Sequence, residues 1–303
     1  MRLATYRQRT AGADGREHLG IVLGDRVVNL CAAARAFALP DVHDDLAGFL
    51  HQGAAALDVA REVAARCTDD ATKGIALADA QLLAPIPHPA RNMVCVGLNY
   101  AEHVAESRSV AGSDAPKYPV FFTKPPTCVI GPDEPIPSHA AVTSEVDWEV
   151  ELAAVIGREG RDIAEEQALD YVFGYTVAND VTARDLQRRH GQWYKGKGLD
   201  GFCPLGPLVV TADEIPDPQA LTVSLRVNGA EKQRARTTQM IFSVARLIAE
   251  WSAGMTLLPG DILLTGTPSG VGIGRNPPEF LKAGDVVEAE IEGIGVLRNP
   301  VGA

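Results

Sequence analysis

The chain has 303 residues, of which 46% are hydrophobic, so it can form one large globular domain or two smaller ones. Its 39 acidic residues outnumber its 28 basic residues, and the resulting formal charge of −11 argues against nucleic acid or an anionic membrane as a general partner. The first residues lack the apolar core of a signal peptide, and no later stretch has the length and apolarity of a bilayer span. We therefore expect a cytoplasmic protein.

The cysteines are odd in number, widely scattered and form no CxxC pair. This pattern argues against a disulfide framework and against a structural zinc site. We expect buried, inert thiols at all five positions, which are Cys31, Cys67, Cys95, Cys128 and Cys203.

Residues 1–80 are predicted to form a small N-terminal α/β domain. The segment HLGIVLGDRVVNL indicates two short strands around the turn at Gly24 and Asp25, and residues 44–67 have the helical spacing of Leu, Phe and Ala. A proline-rich linker follows at 81–91, where closely spaced prolines favour an extended connection. No convergent cluster of polar residues occurs before this linker.

Residues 92–303 are predicted to form a mainly β catalytic domain. Short segments rich in Val and Ile alternate with turn signals, as in NMVCVGLN, ELAAVIG, YVFGYTVAND and DVVEAEIEG. Helices are expected at 165–172 and 237–254, the second with one apolar stripe formed by Ile241, Val244, Ala245, Ile248 and Trp251.

The segment VDWEVEL, residues 146–152, is a predicted strand with one apolar face and one acidic face. Alternation places Asp147, Glu149 and Glu151 together, and closely spaced carboxylates raise the cost of ionising one another. Either water solvates this face on an edge strand or a cation neutralises it. Asp180 follows the next strand, and three or four oxygen ligands suit Mg²⁺ or Mn²⁺ better than Zn²⁺.

A second cluster lies in GLNYAEHVAES, where His103 and Glu106 are three residues apart and face the same way if the segment is helical. The pair suits a general base, in which the carboxylate orients the imidazole, although an ordinary surface ion pair has the same spacing. The polar loop at 108–119 is a candidate lid over a substrate.

Three further segments carry candidate binding groups. Either Lys195 or Lys197 can meet a substrate oxygen, although solvated lysines are commoner. Arg184 and Gln187 follow Asp180 on one predicted helical turn. The loop TGTPSGVG offers Thr267 and backbone N–H groups to an anion, but it lacks the endings of a nucleotide-binding motif.

Five motifs in order, GLNYxxHxxE, WEVELAAVIG, GYTVANDVTARDLQ, GKxxDxFCPLGP and LLTGTPSGVG, resemble the fumarylacetoacetate hydrolase family from about residue 92 to residue 300. The resemblance implies an α+β, mainly β fold, a mixed β-sandwich roll, and a homodimer. It implies Mg²⁺ or Mn²⁺ bound by Glu149, Glu151 and Asp180, with Asp147 outside the ligand set. It also implies catalytic roles for His103, Glu106 and Lys197, and substrate contacts from Arg184, Gln187 and Thr267.

The activity that this resemblance implies is hydrolysis of the C–C bond of a 2,4-dioxo acid, either an acylpyruvate or a diketo-deoxy sugar acid. The products are pyruvate, or a substituted pyruvate, and a carboxylic acid, with His103 and Glu106 activating water. One alternative is an isomerase or decarboxylase of hydroxymuconate-type or oxaloacetate-like 2-oxo acids. Another is a catalytically silent sensor of metal and dicarboxylate. A serine hydrolase is excluded because no GxSxG motif occurs.

Overall fold

A computed structural model describes residues 1–9, 15–68, 70, 73–111 and 116–303, without the side chains of 107–111. The helices are α1 (Leu30–Ala36), α2 (Leu46–His51), α3 (Ala54–Thr68), α4 (Ala101–Ala111), α5 (Arg184–Arg189), α6 (Tyr194–Lys197) and α7 (Val244–Ser252). The first strands are β1 (Arg2–Gln8), β2 (His18–Leu23), β3 (Arg26–Asn29), β4 (Ile75–Ala76), β5 (Ala80–Leu82), β6 (Met93–Gly97), β7 (Val120–Lys124), β8 (Val129–Ile130) and β9 (Val146–Asp147). The remaining strands are β10 (Val150–Ile156), β11 (Val172–Asn179), β12 (Thr182–Ala183), β13 (Cys203–Thr211), β14 (Thr222–Val227), β15 (Ala230–Arg236), β16 (Ile262–Leu264), β17 (Val286–Ile291) and β18 (Gly295–Pro300).

One large sheet organises the fold. Its strands follow the order β4-β3-β2-β1-β13-β11-β10-β16-β6-β7, with β5 also paired to β1 and β8 to β13. A smaller sheet has the order β15-β14-β17-β18, and β9 pairs with β12. Most pairings are antiparallel, although β6 runs parallel to β16. The predicted α+β, mainly β fold is confirmed.

The N-terminal segment is continuous with the large sheet. Strand β1 pairs with β2 on one side and with β13 on the other, where Leu3 lies opposite Val209. The predicted hairpin at Gly24 and Asp25 is confirmed by the pairing of β2 with β3. The predicted helical region forms two helices because Gly53, at φ 67°, ends the first. The proposed domain boundary stays a prediction.

Of the two predicted C-terminal helices, the first is present as a 3₁₀ helix and the second is shorter than expected. Residues 165–171 form a 3₁₀ turn, and α7 begins only at Val244, after Ser243 accepts a hydrogen bond from the backbone N–H of Arg246. Ile241 therefore precedes the helix, while Val244, Ile248 and Trp251 are buried as predicted. The Ser243 cap determines where this helix begins, and the spacing of apolar residues alone does not reveal that position.

The core lies around the central strands β10 and β11. Every residue of β10 is buried, because the strand has neighbours on both edges and covered faces. All five cysteines are buried free thiols, as the sequence predicted. Within the described residues, no helix combines the length and the apolarity needed to cross a membrane.

Candidate metal centre and active site

The acidic segment is an interrupted strand rather than one regular strand. β9 ends at Asp147 and β10 begins at Val150, because the intervening backbone N–H groups bind side chains instead of a neighbouring strand. The N–H of Trp148 donates to Asp147 Oδ1, and that of Glu149 donates to Asn179 Oδ1. Of the two interpretations of the acidic face, solvation by water is wrong, since all three carboxylates of the segment are buried.

Two of these buried carboxylates converge with a third, Asp180, which follows β11. Glu149, Glu151 and Asp180 each offer an oxygen, and these oxygens all lie within 4.8 Å of one another. Strand pairing explains the convergence, because Val150 lies opposite Asn179 and the N–H of Asp180 donates to the carbonyl of Glu149 at 2.8 Å. The two glutamates are two residues apart and therefore share a face. The cluster matches the predicted metal ligands.

Three buried cations surround the cluster. Lys197 Nζ donates to Glu149 Oε2 at 2.7 Å and to Asp180 Oδ2 at 2.6 Å. Lys124 Nζ donates to Asp180 Oδ1 at 2.6 Å and also to the carbonyl of Lys197. Arg184 Nη2 lies 2.7 Å from Glu149 Oε1. Each metal-ligand candidate except Glu151 thus has a cationic neighbour.

The electrostatics of the glutamates differ accordingly. Burial alone would raise the pKa of Glu149, but Lys197 and Arg184 reverse this and lower the pKa to about 2. Burial raises the pKa of Glu151 well above its usual value, and repulsion from Asp180 and Glu149 adds to the effect. With Asp147 included, four buried carboxylates face three buried cations, so the charges balance only while Glu151 is protonated. An all-oxygen donor set with this excess of carboxylates fits a hard divalent cation such as Mg²⁺ or Mn²⁺.

The predicted His–Glu pair lies on α4. His103 Nδ1 is 3.3 Å from Glu106 Oε2, and their side chains are only 10% and 17% exposed, so the pair is not an ordinary surface ion pair. Glu106 also accepts hydrogen bonds from the backbone N–H of Gly270 at 3.1 and 3.2 Å. In the predicted lid at 108–119, residues 112–115 and the side chains before them lie outside the described residues.

The structure distinguishes the two lysines of the YKGK segment. Lys195 is exposed, whereas Lys197 is buried within the acidic cluster and lies 5.2 Å from the centre of the Phe122 ring. An ammonium group has three N–H donors, and Glu149 and Asp180 accept two of them. One donor of Lys197 therefore remains for a ligand.

The predicted substrate-binding residues are held by protein contacts. Arg184 Nε donates to Asp147 Oδ2 at 2.8 Å, and Nη1 donates to Gln187 Oε1 at 3.1 Å. The amide oxygen of Gln187 is thereby occupied, which leaves its NH₂ group as a donor. Thr267 Oγ1 accepts a hydrogen bond from Gln233 Nε2 at 2.8 Å.

A cavity of about 320 Å³ connects these groups. Its polar lining includes His103 and Glu106, here called the dyad, together with Glu149 from the acidic cluster and the predicted binding residues. Its apolar wall includes Val96, Phe122, Trp193 and Ile273. The nine predicted site residues thus lie either along this cavity or in the acidic cluster that opens into it. Their individual roles stay predictions.

Sequence reasoning missed Lys124 and Gln233. Lys124 is a fully buried charge at the end of the apolar segment PVFFTK, and a lysine in that setting is the signal that could have identified it. Gln233, on β15, bonds Thr267, the carbonyl of Pro268 and the N–H of Val150. No local pattern marks Gln233, because its partners come from distant segments.

The model of the family described as "Fumarylacetoacetate (FAA) hydrolase C-terminal" matches residues 92–302. The chain belongs to the fumarylacetoacetate hydrolase family. It is 50% identical over 226 residues to oxaloacetate tautomerase YisK of Bacillus subtilis, covering 75% of this chain and 74% of that protein.

Solved structures of this family superpose over the whole chain. The fumarylacetoacetate hydrolase of Exiguobacterium antarcticum is 40% identical, with a TM-score of 0.81 and 99% of each chain covered. The maleylpyruvate hydrolase of Sphingobium sp. SYK-6, solved with manganese(II) and pyruvate, is 29% identical, with a TM-score of 0.76 and coverage of 100% of this chain and 99% of that one.

Proposed function

We propose that the protein is a divalent-metal-dependent tautomerase that interconverts the keto and enol forms of oxaloacetate-like 2-oxo acids. The observation that carries this proposal is that the buried acidic cluster and the His103–Glu106 pair border one cavity. The 50% identity to an oxaloacetate tautomerase supports this reaction over the C–C hydrolysis that the sequence first suggested.

The ligand candidates Glu149, Glu151 and Asp180 would hold Mg²⁺ or Mn²⁺. Such a cation supplies Lewis-acid stabilisation of negative charge on the substrate oxygens. The manganese in the maleylpyruvate hydrolase structure supports this choice of metal. The substrate carboxylate and its C2 oxygen would face this end of the cavity, which Lys197 lines and where its remaining N–H donor would meet them.

His103 is the proposed base. With Nδ1 turned to Glu106, the Nε2 atom is the position that accepts a proton from C3 of the substrate. The electron pair of the broken C–H bond forms the C2–C3 double bond, the π pair of the C2 carbonyl moves to its oxygen, and His103 transfers its proton to that oxygen. No atom is gained or lost, as tautomerisation requires. Glu106 keeps the imidazole oriented, and Gly270 keeps Glu106 in place.

The test is a spectrophotometric assay of the enol-to-keto conversion of oxaloacetate by the purified protein. The protein is stripped with a chelator and then restored with Mg²⁺ or Mn²⁺. Metal-dependent acceleration above the metal-only rate is expected. If the restored protein binds metal but accelerates neither this conversion nor any reaction of related 2-oxo acids, the sensor alternative replaces the tautomerase.

Hydrolysis of an acylpyruvate is the second candidate. The specific observation in its favour is that the dyad lies at a cavity with room for water and substrate, as a water-activating base must. The overall similarity to maleylpyruvate hydrolase agrees with it. Release of pyruvate and a carboxylic acid from an acylpyruvate, measured beside the oxaloacetate assay, separates the two reactions. The homodimer stays a prediction that light scattering of the purified protein can test.

A further inference from the structure

Among the described residues, Asp147 is a buried carboxylate that belongs neither to the acidic cluster nor to the cavity wall. It is fully buried and accepts four hydrogen bonds. Oδ1 accepts from the backbone N–H groups of Trp148 at 2.8 Å and Gly272 at 2.6 Å. Oδ2 accepts from Arg184 Nε at 2.8 Å and from the N–H of Ile273 at 3.0 Å.

The turn that Asp147 holds is the same turn that holds the dyad. At its start, the N–H of Gly270 donates to Glu106, and at its end Gly274 lies directly against the Glu106 carboxylate. In its middle, Gly272 and Ile273 donate to Asp147. A methyl group on Gly272 would clash with the carbonyl oxygen of Glu279 and lie 2.6 Å from Asp147 Oδ1, so the turn packs against both groups only because glycine has no side chain.

On its other side, Asp147 anchors the metal end of the site. The guanidinium that it binds through Nε also reaches Glu149 Oε1 at 2.7 Å. A continuous path of contacts therefore runs from Glu106 through the 270–274 turn to Asp147, and from Asp147 through Arg184 to Glu149. All partners of the Asp147 oxygens are donors, so this carboxylate needs no cation of its own beyond Arg184.

We propose that Asp147 is a positioning residue that fixes the His103–Glu106 base relative to the metal end of the cavity. It touches no reacting atom and acts through the 270–274 turn and Arg184. The inference rests on the proposed function, since it assigns the base to the dyad. A base displaced slightly from C3 loses much of its effect, because proton transfer needs hydrogen-bond distance.

Asp147→Asn tests this role while keeping the shape of the side chain. An amide NH₂ in place of one oxygen faces two N–H donors, so half of the contacts are lost. We expect kcat for oxaloacetate tautomerisation to fall by about 10- to 100-fold, while Mn²⁺ affinity changes far less. Loss of Mn²⁺ binding in parallel with kcat would overturn the proposal, because Asp147 would then belong to the metal site.

A double-mutant cycle with Glu106→Gln identifies the route of action. If Asp147 acts through Glu106, adding Asp147→Asn to Glu106→Gln lowers kcat much less than it does in the wild-type background. If the fold-losses in kcat of the two single variants multiply fully in the double variant, the proposal is contradicted. The matched control is Asp261→Asn, because buried Asp261 likewise accepts from an arginine, Arg91, and from a backbone N–H, that of Leu258, but lies outside the cavity. This control should keep the wild-type kcat.

Hydrogen–deuterium exchange supplies a readout that does not depend on catalysis. In Asp147→Asn, we expect faster exchange in the 269–275 segment and in α4, with β10 unchanged. If the wild-type protein is inactive, the proposed function is wrong. If the wild type is active but exchange in both segments is unchanged in Asp147→Asn, this inference is wrong. Should Asp147→Asn not fold, Gly272→Ala displaces the turn and keeps the carboxylate. The same loss of kcat with retained Mn²⁺ binding is expected, and a wild-type kcat would refute the role.

Discussion

Lys124 Nζ donates to Asp180 Oδ1 at 2.6 Å, and neither side chain is exposed to solvent. Burial alone would lower the pKa of Lys124, but the Asp180 carboxylate reverses this and raises it, so Lys124 is charged. The same ammonium group binds the carbonyl of Lys197. One buried cation thus orients both a metal-ligand candidate and the backbone of the proposed active-site lysine.

Lys124→Met should lower metal affinity or kcat by about 10- to 100-fold, because the partners that orient metal ligands typically contribute that much. Isothermal titration with Mn²⁺ and the oxaloacetate assay measure the two effects. Lys195→Met is the matched control, since Lys195 is exposed, and it should behave like the wild type. A folded Lys124→Met protein with wild-type metal affinity and kcat would show that this ion pair has no functional role.

Glu149→Ala should abolish metal binding and activity together, because it removes one of the three converging carboxylates and leaves Lys197 without one of its acceptors. Mn²⁺ titration and turnover at saturating substrate are the measurements. Glu159→Gln, in an exposed position just beyond the other end of β10, is the control and should change neither quantity. Retained turnover in Glu149→Ala would overturn the ligand assignment.

His103→Ala should keep metal binding and lose catalysis by about 10²- to 10⁴-fold, the usual contribution of a positioned general base. His103 lies outside the acidic cluster, so Mn²⁺ affinity should stay close to the wild-type value. His88→Ala, at a site whose side chain is 85% exposed, controls for loss of a histidine. If His103→Ala retains full activity, another group is the base.

The stability gained from metal should increase with pH. The folded-state pKa of Glu151 is raised by burial above its unfolded value of about 4.3, so the stability that comes from its protonated form is lost as pH rises through the folded pKa. Glu149, with a pKa of about 2, stays ionised in this window. Because a bound cation favours ionised Glu151, the rise in Tm on adding Mn²⁺ should grow as the pH rises from the unfolded pKa of about 4.3 towards the raised pKa of the folded state.

Differential scanning fluorimetry with and without Mn²⁺ across that range measures this effect. Glu151→Gln, which cannot ionise, should make the Tm of the metal-free protein less dependent on pH. A metal-induced rise in Tm that is constant from low to high pH would contradict the assigned cause.

The residues of the candidate site could be located from the sequence because they carry local signals. The alternation of Glu149 and Glu151, the helical spacing of His103 and Glu106, and the order of the family motifs are all visible in the chain itself. These signals indicate which side chains share a face, and the pairing of β10 with β11 then brings Asp180 to them. Burial was not predicted, since alternating acidic residues also occur on solvated strands.

What the sequence did not reveal depends on contacts between distant segments. Lys124 meets Asp180 from a position 56 residues earlier, and Gln233 meets Val150 across 83 residues. The interruption between β9 and β10 depends on side chains that replace strand pairing, and Asn179 is one of them. Such hydrogen bonds have no periodicity, so only the folded arrangement shows them.

The pairing of β1 with β13 limits how the chain can be divided. Cutting before residue 92, where the family match begins, would remove β1 and leave the backbone of Val209 and Val210 as an open edge beside β11. An exposed edge of apolar residues is a template for association with other chains. Residues 92–303 expressed alone should therefore aggregate, because they lack the strand β1 that covers this edge in the intact chain. Any shortened version must replace that strand.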